Sequence, residues 1–262
     1  MPKHSYVYKA LNRTVGKALH RYDMISDGDR ILVGVSGGKD SLIMMWLLNE
    51  RRARILIDYE LLAVYVDLGF ADGFSAELTS YAESCGYAIR IEQTDYGVIS
   101  HGPENRENPC FLCSRLRRKR LFEIAAETGC NKIALGHTKD DIIETVFINM
   151  CYAGEISTMI PKQSFFGGEF EIIRPLAYSD EDSIRRFAEE SALPDFVNPC
   201  PSAKNSKRLE IKKLLQQLYQ SNKKIKGNIF RSLSHVRSDY LLKPEARNSK
   251  SETISNDRNS NA

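Results

Sequence analysis

The stretch Arg30-Ile31-Leu32-Val33-Gly34-Val35-Ser36-Gly37-Gly38-Lys39-Asp40-Ser41 joins a short apolar run to a glycine turn and then to a helix beginning near Leu42. A run this short, rich in branched residues and bounded by turn residues, suits a strand buried in a parallel sheet. Two adjacent glycines let the backbone turn sharply and approach a ligand, while the free N–H groups and dipole of the following helix favour a phosphate oxygen. Ser36 and Ser41 add hydroxyl donors and Lys39 a cation. Asp40 either caps the helix or holds a magnesium ion. The spacing matches neither the Walker pattern nor the dinucleotide fingerprint, so the turn points to a nucleotide held in another way.

Outward from this turn, strand and helix patterns alternate: strands at 61–66, 87–91, 132–135 and 170–173, with helices at 75–84, 115–127 and 141–150. Parallel strands need crossovers over a sheet face, so the expected fold is α/β, a doubly wound parallel sheet of about five strands. An N-terminal helix precedes it, with Val7, Leu11, Val15 and Leu19 four apart. A helical appendage follows it. The expected divisions are 1–27 for the helix, 28–180 for the nucleotide domain, 181–244 for the C-terminal helical part and 245–262 for a Ser- and Asn-rich tail with too little apolar surface to order itself. Of the 262 residues, 42% are apolar and 27% charged, an ordinary globular composition. The leading residues carry no cleavage pattern and no later run reaches membrane-spanning length, so a cytoplasmic protein without membrane contact is expected.

A reducing cytoplasm disfavours structural disulfides among the six cysteines. Cys110-Phe111-Leu112-Cys113 has the spacing at which both thiolates reach one metal or cluster, and Cys200, in a proline-bounded loop, is the best third ligand. Three thiolates leave an open coordination position, whether on zinc or on a four-iron cluster able to bind hydrosulfide. A Cys110–Cys113 pair cycling through persulfide and disulfide is the other possibility. Cys85, Cys130 and Cys151 read as small core residues. His101 and His137 lack ligand-like spacing, and His137 reads as a helix-start histidine satisfied by backbone contacts. Although the net charge is only +3, cations cluster at Arg115, Arg117, Arg118, Lys119 and Arg120, and again at Lys204, Lys207, Arg208, Lys212, Lys213, Lys223, Lys224 and Lys226, as phosphate-binding helices would have them.

The turn from Ser36 to Ser41 resembles the PP-loop of the ATP pyrophosphatases, an α/β, HUP-like fold. With Ser114-Arg115-Leu116-Arg117-Arg118 after the cysteine pair, Ile133 through Gly136-His137-Thr138-Lys139-Asp140-Asp141, and Arg174-Pro175-Leu176, the order and spacing resemble the TtcA family, the tRNA-cytidine 2-sulfurtransferases. The resemblance implies ATP, magnesium, a [4Fe-4S] cluster on three cysteines, a homodimer, a sulfur donor (a cysteine desulfurase or sulfide), and thiolation of cytidine 32 of a tRNA with release of AMP and pyrophosphate. Carried over by position, Ser36, Gly37, Gly38, Lys39, Asp40 and Ser41 would bind ATP, and Cys110, Cys113 and Cys200 the cluster. Lys39, Asp40 and Asp141 would be catalytic. The chain departs from the family at Val197, where members commonly place the first cysteine of a second pair. The rivals are a thiolase making 2-thiouridine, and a zinc-stabilised nucleotide- and RNA-binding protein without catalysis.

Overall fold

The computed structural model describes residues 5–197, 199–204 and 207–242; the expected disordered tail, 245–262, lies outside the described residues. Helices and strands follow in the order α1 Tyr6–Arg21, β1 Asp29–Val35, α2 Lys39–Arg52, β2 Tyr59–Asp67, α3 Ser75–Ser84, β3 Ile89–Gln93, α4 Tyr96–His101, α5 Pro109–Thr128, β4 Lys132–Leu135 and α6 Lys139–Ile148. After them come β5 Lys162–Phe165, β6 Phe170–Ile173, α7 Glu181–Glu190, α8 Lys207–Ser221 and α9 Ile225–Ser232. The sheet order is β3-β2-β1-β4-β6-β5, parallel except for the β5–β6 pair. Six strands replace the expected five. The extra one, Lys-Gln-Ser-Phe, is an edge strand without an apolar run; the chain reverses through Phe166, Gly167 and Gly168, all at positive φ, to lay it on β6, where Lys162 pairs with Glu171 and Phe165 packs on Phe122. Among the described residues no helix is long and apolar enough to cross a membrane.

Strand alternation assigns each side chain to a face. Ile31, Val33, Ala63, Tyr65, Ala134 and Ile173 enter one core with α1, α2 and α7, while Leu32, Val64, Val66, Ile133 and Ile172 enter the other with Leu121, Ile124 and Ala125 of α5. Leu42 through Leu48 of α2 are buried all the way round, because the sheet covers one side and α1 and α7 the other. That explains a helix that is apolar without being amphipathic. A third, smaller core joins Ile143 of α6 to Ile211 and Leu215 of α8, with Ile229 and Phe230 of α9 packed against it.

One buried cation ties the strand starts together. Lys132 donates to Met24 O at 3.0 Å and pairs with Asp29 at 3.0 Å and Glu171 at 3.1 Å. Removing one partner of a buried pair strands the other charge. Lys132→Met is therefore expected to lower the unfolding free energy by about 3 kcal/mol, read from the shift of the urea midpoint at unchanged slope; a change within 0.5 kcal/mol, about the noise of a neutral surface substitution, contradicts it.

Candidate active site

At the end of β1 the turn residues bond mainly to one another. The Ser41 hydroxyl donates to Gly38 O at 2.8 Å and accepts the Ser36 N–H at 3.0 Å and the Ser36 hydroxyl at 3.2 Å. Gly38 is the N-cap of α2, which carries no side-chain cap, so Asp40 does not serve in that role. Gly37 has φ +79°, and a Cβ there would stand 2.4 Å from the Phe74 ring; one on Gly136 would stand 3.1 Å from Ser41 N. The loop is thus pressed between Phe74 and the end of β4, with Ser36 and Gly38 bordering an open space.

That space is a cavity of about 610 Å³ whose wall includes Ser36, Gly38, Asp141, Cys110, Cys113 and Cys200, together with Asp67, His101, Arg117 and Arg208. Lys39 and Asp40 stand off this wall. The Lys39 ammonium lies 3.9 Å from Asp195. Burial, with Asp141 and Glu181 adding to it, pushes the Asp40 carboxyl up to about 7. Asp141 completes a capping box on α6, its Oδ2 accepting the Thr138 N–H at 2.8 Å and hydroxyl at 2.9 Å, while Oδ1 accepts Arg208 at 2.9 Å. Arg208 also reaches Glu144 at 3.1 Å, and burial pushes that carboxyl up to about 7 against the pull of Arg208. His137 differs from expectation: its ring Nδ1 is buried without a hydrogen-bond partner among the described residues, and burial followed by the charge of Arg174 holds it down to about 4, so the imidazole is neutral at pH 7.

The cysteines arrive on two elements. Asn108 caps α5 by accepting the Cys110 N–H at 3.0 Å and the Phe111 N–H at 3.3 Å, with Pro109 in the first turn, which places Cys110 and Cys113 one turn apart. Cys200 comes from the segment after α7 and stands 3.9 Å from His101 Nε2; that ring also bonds Ser202 at 2.8 Å and, through Nδ1, Gly97 O at 2.9 Å. Burial pushes the Cys113 thiol up; Arg117 opposes this, and Cys200 and Cys110 add to it. Cys130 is buried as expected, whereas Cys85 and Cys151 are exposed, because one follows the end of α3 and the other sits in the π-turn 149–153. Among the described residues no three His, Cys, Asp or Glu side chains are grouped as a single metal ion would require.

Neither basic stretch is a simple cationic face. On α5, Arg120 pairs with Glu92, Glu123 and Glu127, Lys119 with Glu123 and Arg115 with Glu107. In the C-terminal part, Lys207 pairs with Glu210, Lys212 with Glu181, and Lys226 with Asp140 and Asp180. Of the other residues on or behind this wall, Arg208 reads from sequence only as one cation of a cluster, His101 only as a histidine without ligand-like spacing, and Glu144 carries no motif at all. Their signal was present only as helical spacing from Asp141 to Glu144 and as charge on α8, which gives no partner.

A glycine turn between a buried strand and a helix, opening on a crevice at the carboxyl ends of parallel strands, defines a nucleotide-binding α/β protein of the PP-loop class, and a PP-loop domain family matches residues 7–218. A tRNA-cytidine(32) 2-sulfurtransferase of Geobacter sulfurreducens is 38% identical over 90% of this chain and 93% of its own; one of Anaeromyxobacter sp. strain K is 38% identical over 89% and 81%. The chain belongs to the tRNA-cytidine(32) 2-sulfurtransferase family. Among solved structures, the U34-tRNA thiolase NcsA of Methanococcus maripaludis, with its [4Fe-4S] cluster, is similar at 29% identity and a TM-score of 0.73, covering 92% of this chain and 81% of that one.

Two outcomes follow from this geometry. Gly37→Ala combines a left-handed backbone cost of about 1–2 kcal/mol with a ring clash, and is expected to weaken ATP binding at least about ten-fold in calorimetry; an unchanged affinity refutes the close approach. For Glu144 the folded-state value is raised, so the protein binds this proton more tightly folded than unfolded, and its contribution to stability falls as pH rises from the ordinary glutamate value of 4.5 toward about 7. The stability of Glu144→Gln relative to the parent should therefore improve from pH 5 to pH 7.5 in chemical denaturation. A flat difference contradicts a raised Glu144.

Proposed function

We propose that this protein is an ATP-dependent tRNA thiolase that makes 2-thiocytidine at position 32, using a [4Fe-4S] cluster held by Cys110, Cys113 and Cys200. The observation that carries this reading is that three thiols from two distant segments share one cavity wall with the PP-loop. The donor set fits the cluster. Cys113 is pushed toward its neutral form by burial and by its two cysteine neighbours, so three thiolates on this wall call for a cationic centre between them. Family membership and the cluster-bearing neighbour support the same group.

In this reading Ser36, Gly37, Gly38 and Ser41 bind the ATP phosphates through backbone N–H and hydroxyl groups, and Lys39 leaves Asp195 for a phosphate oxygen. Asp40 and Asp141 would hold magnesium, whose charge relieves the crowding of Asp40 by Asp141, Glu181 and Asp140. The pyrimidine C2 oxygen attacks the α-phosphorus and pyrophosphate leaves; hydrosulfide then adds at C2, the C–O bond breaks, AMP departs and the sulfur-bound proton is lost. The cluster, when bound, supplies an iron not held by cysteine at which the incoming sulfide is presented. The residues around it orient the reactants: His101 holds the Cys200–Ser202 segment, and the walls formed by Phe70, Phe74 and Phe196 exclude water from the charged centre. The reading further includes a homodimer, a cysteine desulfurase or sulfide as donor, a reducing cytoplasmic setting, and the division of the chain at 27/28, 180/181 and 244/245.

The test is nucleoside mass spectrometry on unmodified tRNA incubated without oxygen with reconstituted protein, ATP, magnesium and sulfide, beside Cys200→Ala. 2-Thiocytidine formed only with ATP and intact Cys200 is expected. A thiouridine in its place would overturn the substrate, and the absence of any thionucleoside from protein that carries cluster and ATP would overturn thiolation itself.

A further inference from the structure

The outer face of α1 carries Lys9, Arg13, Lys17 and Arg21, each four residues after the last, and the helix contains no Asp or Glu. All four are exposed, and none has a carboxylate within ion-pair distance among the described residues, while Tyr8, Leu11, Val15 and Ala18 on the opposite face are buried. Lys17 lies over the Tyr178 ring at 5.4 Å, a contact that holds its stem without neutralising it. This contrasts with α5 and α8, where most of the cations selected from sequence are bound to carboxylates. Arg117, Arg118 and Lys213 on these helices, and Lys223 and Lys224 just after α8, have no ion-pair partner among the described residues, but they form no comparable regular row.

Three successive like-charged i,i+4 pairs oppose helix formation, so the row contributes nothing to holding α1 in place; apolar burial does that. Steps of four residues rise about 6 Å and rotate about 40°. The charges therefore follow a gently winding line about 18 Å long, with a repeat close to the separation of neighbouring phosphates along one RNA strand. The row is fixed to the site: the Thr14 hydroxyl bonds the Ser179 hydroxyl at 2.7 Å, and Ser179 O accepts the N–H of Lys139 at 3.0 Å, two residues before Asp141 on the cavity wall.

We infer that this face of α1 is a docking surface for the sugar-phosphate backbone of the RNA substrate, lying apart from the cavity that receives the base. The inference rests on the tRNA reading above and adds a surface to it. Phosphate contacts position a nucleic acid without reading its sequence, which suits an enzyme that selects its base inside a cavity.

The experiment is fluorescence anisotropy with an unmodified tRNA transcript at about 0.05–0.3 M salt, a range that brackets physiological strength. The full chain is compared with a variant carrying Lys9→Gln, Arg13→Gln, Lys17→Gln and Arg21→Gln, and with Lys9→Arg/Lys17→Arg. Four lost phosphate contacts should weaken binding about ten-fold or more at 0.15 M and make the salt slope shallower by about 3. The Lys→Arg variant should keep both affinity and slope, all three proteins should keep their ATP affinity, and neither variant should melt below the parent, since removing like-charged pairs does not weaken α1. If the parent binds tRNA and the glutamine variant binds with equal affinity and slope, the α1 surface is refuted while the tRNA reading stands. If the parent binds no tRNA at any of these salt concentrations, both fall. If instead the row drives binding to phosphatidylglycerol vesicles and not to tRNA, it is a membrane-facing surface and the inference is overturned.

Discussion

The reversal of strand order at β1 is the constraint on which the site depends. From β1 the chain builds outward through β2 and β3, then returns to lay β4 on the opposite side. The connections leaving the carboxyl ends of β1 and β4 therefore diverge, and the crevice between them is a cavity that the fold leaves open by topology. Both connections lead directly into helices, α2 and α6, so two helix N-termini face one region. Their positive ends favour anions, which accounts for Asp40 in the first turn of α2 and Asp140 and Asp141 in that of α6. Gly37 and Gly136 follow from the same crowding, since the loop beside β1 has neither room for a Cβ under Phe74 nor for one at the β4 end.

The third cysteine depends on a different kind of interaction. The apolar contact between α8 and α6 is small, resting on Ile143, Ile211 and Leu215, and would permit sliding. Charge fixes the register: Arg208 of α8 meets Asp141 and Glu144 of α6, Lys212 of α8 meets Glu181 of α7, and Lys226 of the adjoining α9 meets Asp140 of α6 and Asp180. Exposed pairs contribute little to stability and buried ones cost desolvation, so their value here lies in geometry. They hold the helix that follows Cys200 against the helix that lines the cavity, while His101 grips the Cys200–Ser202 segment from α4.

Much of this was legible because it is written in local pattern. Helix α3 and strands β4 and β6 fall where branched apolar runs and turn residues place them, and the PP-loop and the cysteine spacing are contiguous strings. What pattern could not supply is pairing between distant residues. Strand β5 exists because of a reversal through three positive-φ residues and has no strand-like sequence of its own. The short α4 carries no long apolar repeat. The basic stretch on α5 reads as a face, yet Arg120 is bound by three carboxylates from β3 and α5 itself, and Cys85 and Cys151 fail as core residues because helix ends and a π-turn rotate them outward. The exposed row on α1 was hidden for the converse reason: its apolar spacing was the visible feature, and the charges between those residues acquire meaning only once no carboxylate among the described residues is found to pair with them.

Fold and chemistry also share groups in a way that limits what the site can do at once. Both oxygens of Asp141 are occupied, one by the Thr138 cap and the other by Arg208. A cation arriving at Asp141 would therefore compete with Arg208 in preference to the Thr138 bonds, because displacing those would leave the Thr138 N–H of the capping box unpaired at a cost of about 1 kcal/mol or more. Arg208 borders the cavity and retains Glu144, whose carboxyl at about 7 is only partly ionised near neutral pH and so holds the guanidinium less firmly than a full charge would. The same arginine thus joins the cavity wall to two carboxylates of α6, one of them buried and partly neutral near pH 7, so negative charge brought into the cavity would compete for a guanidinium that two full charges do not hold.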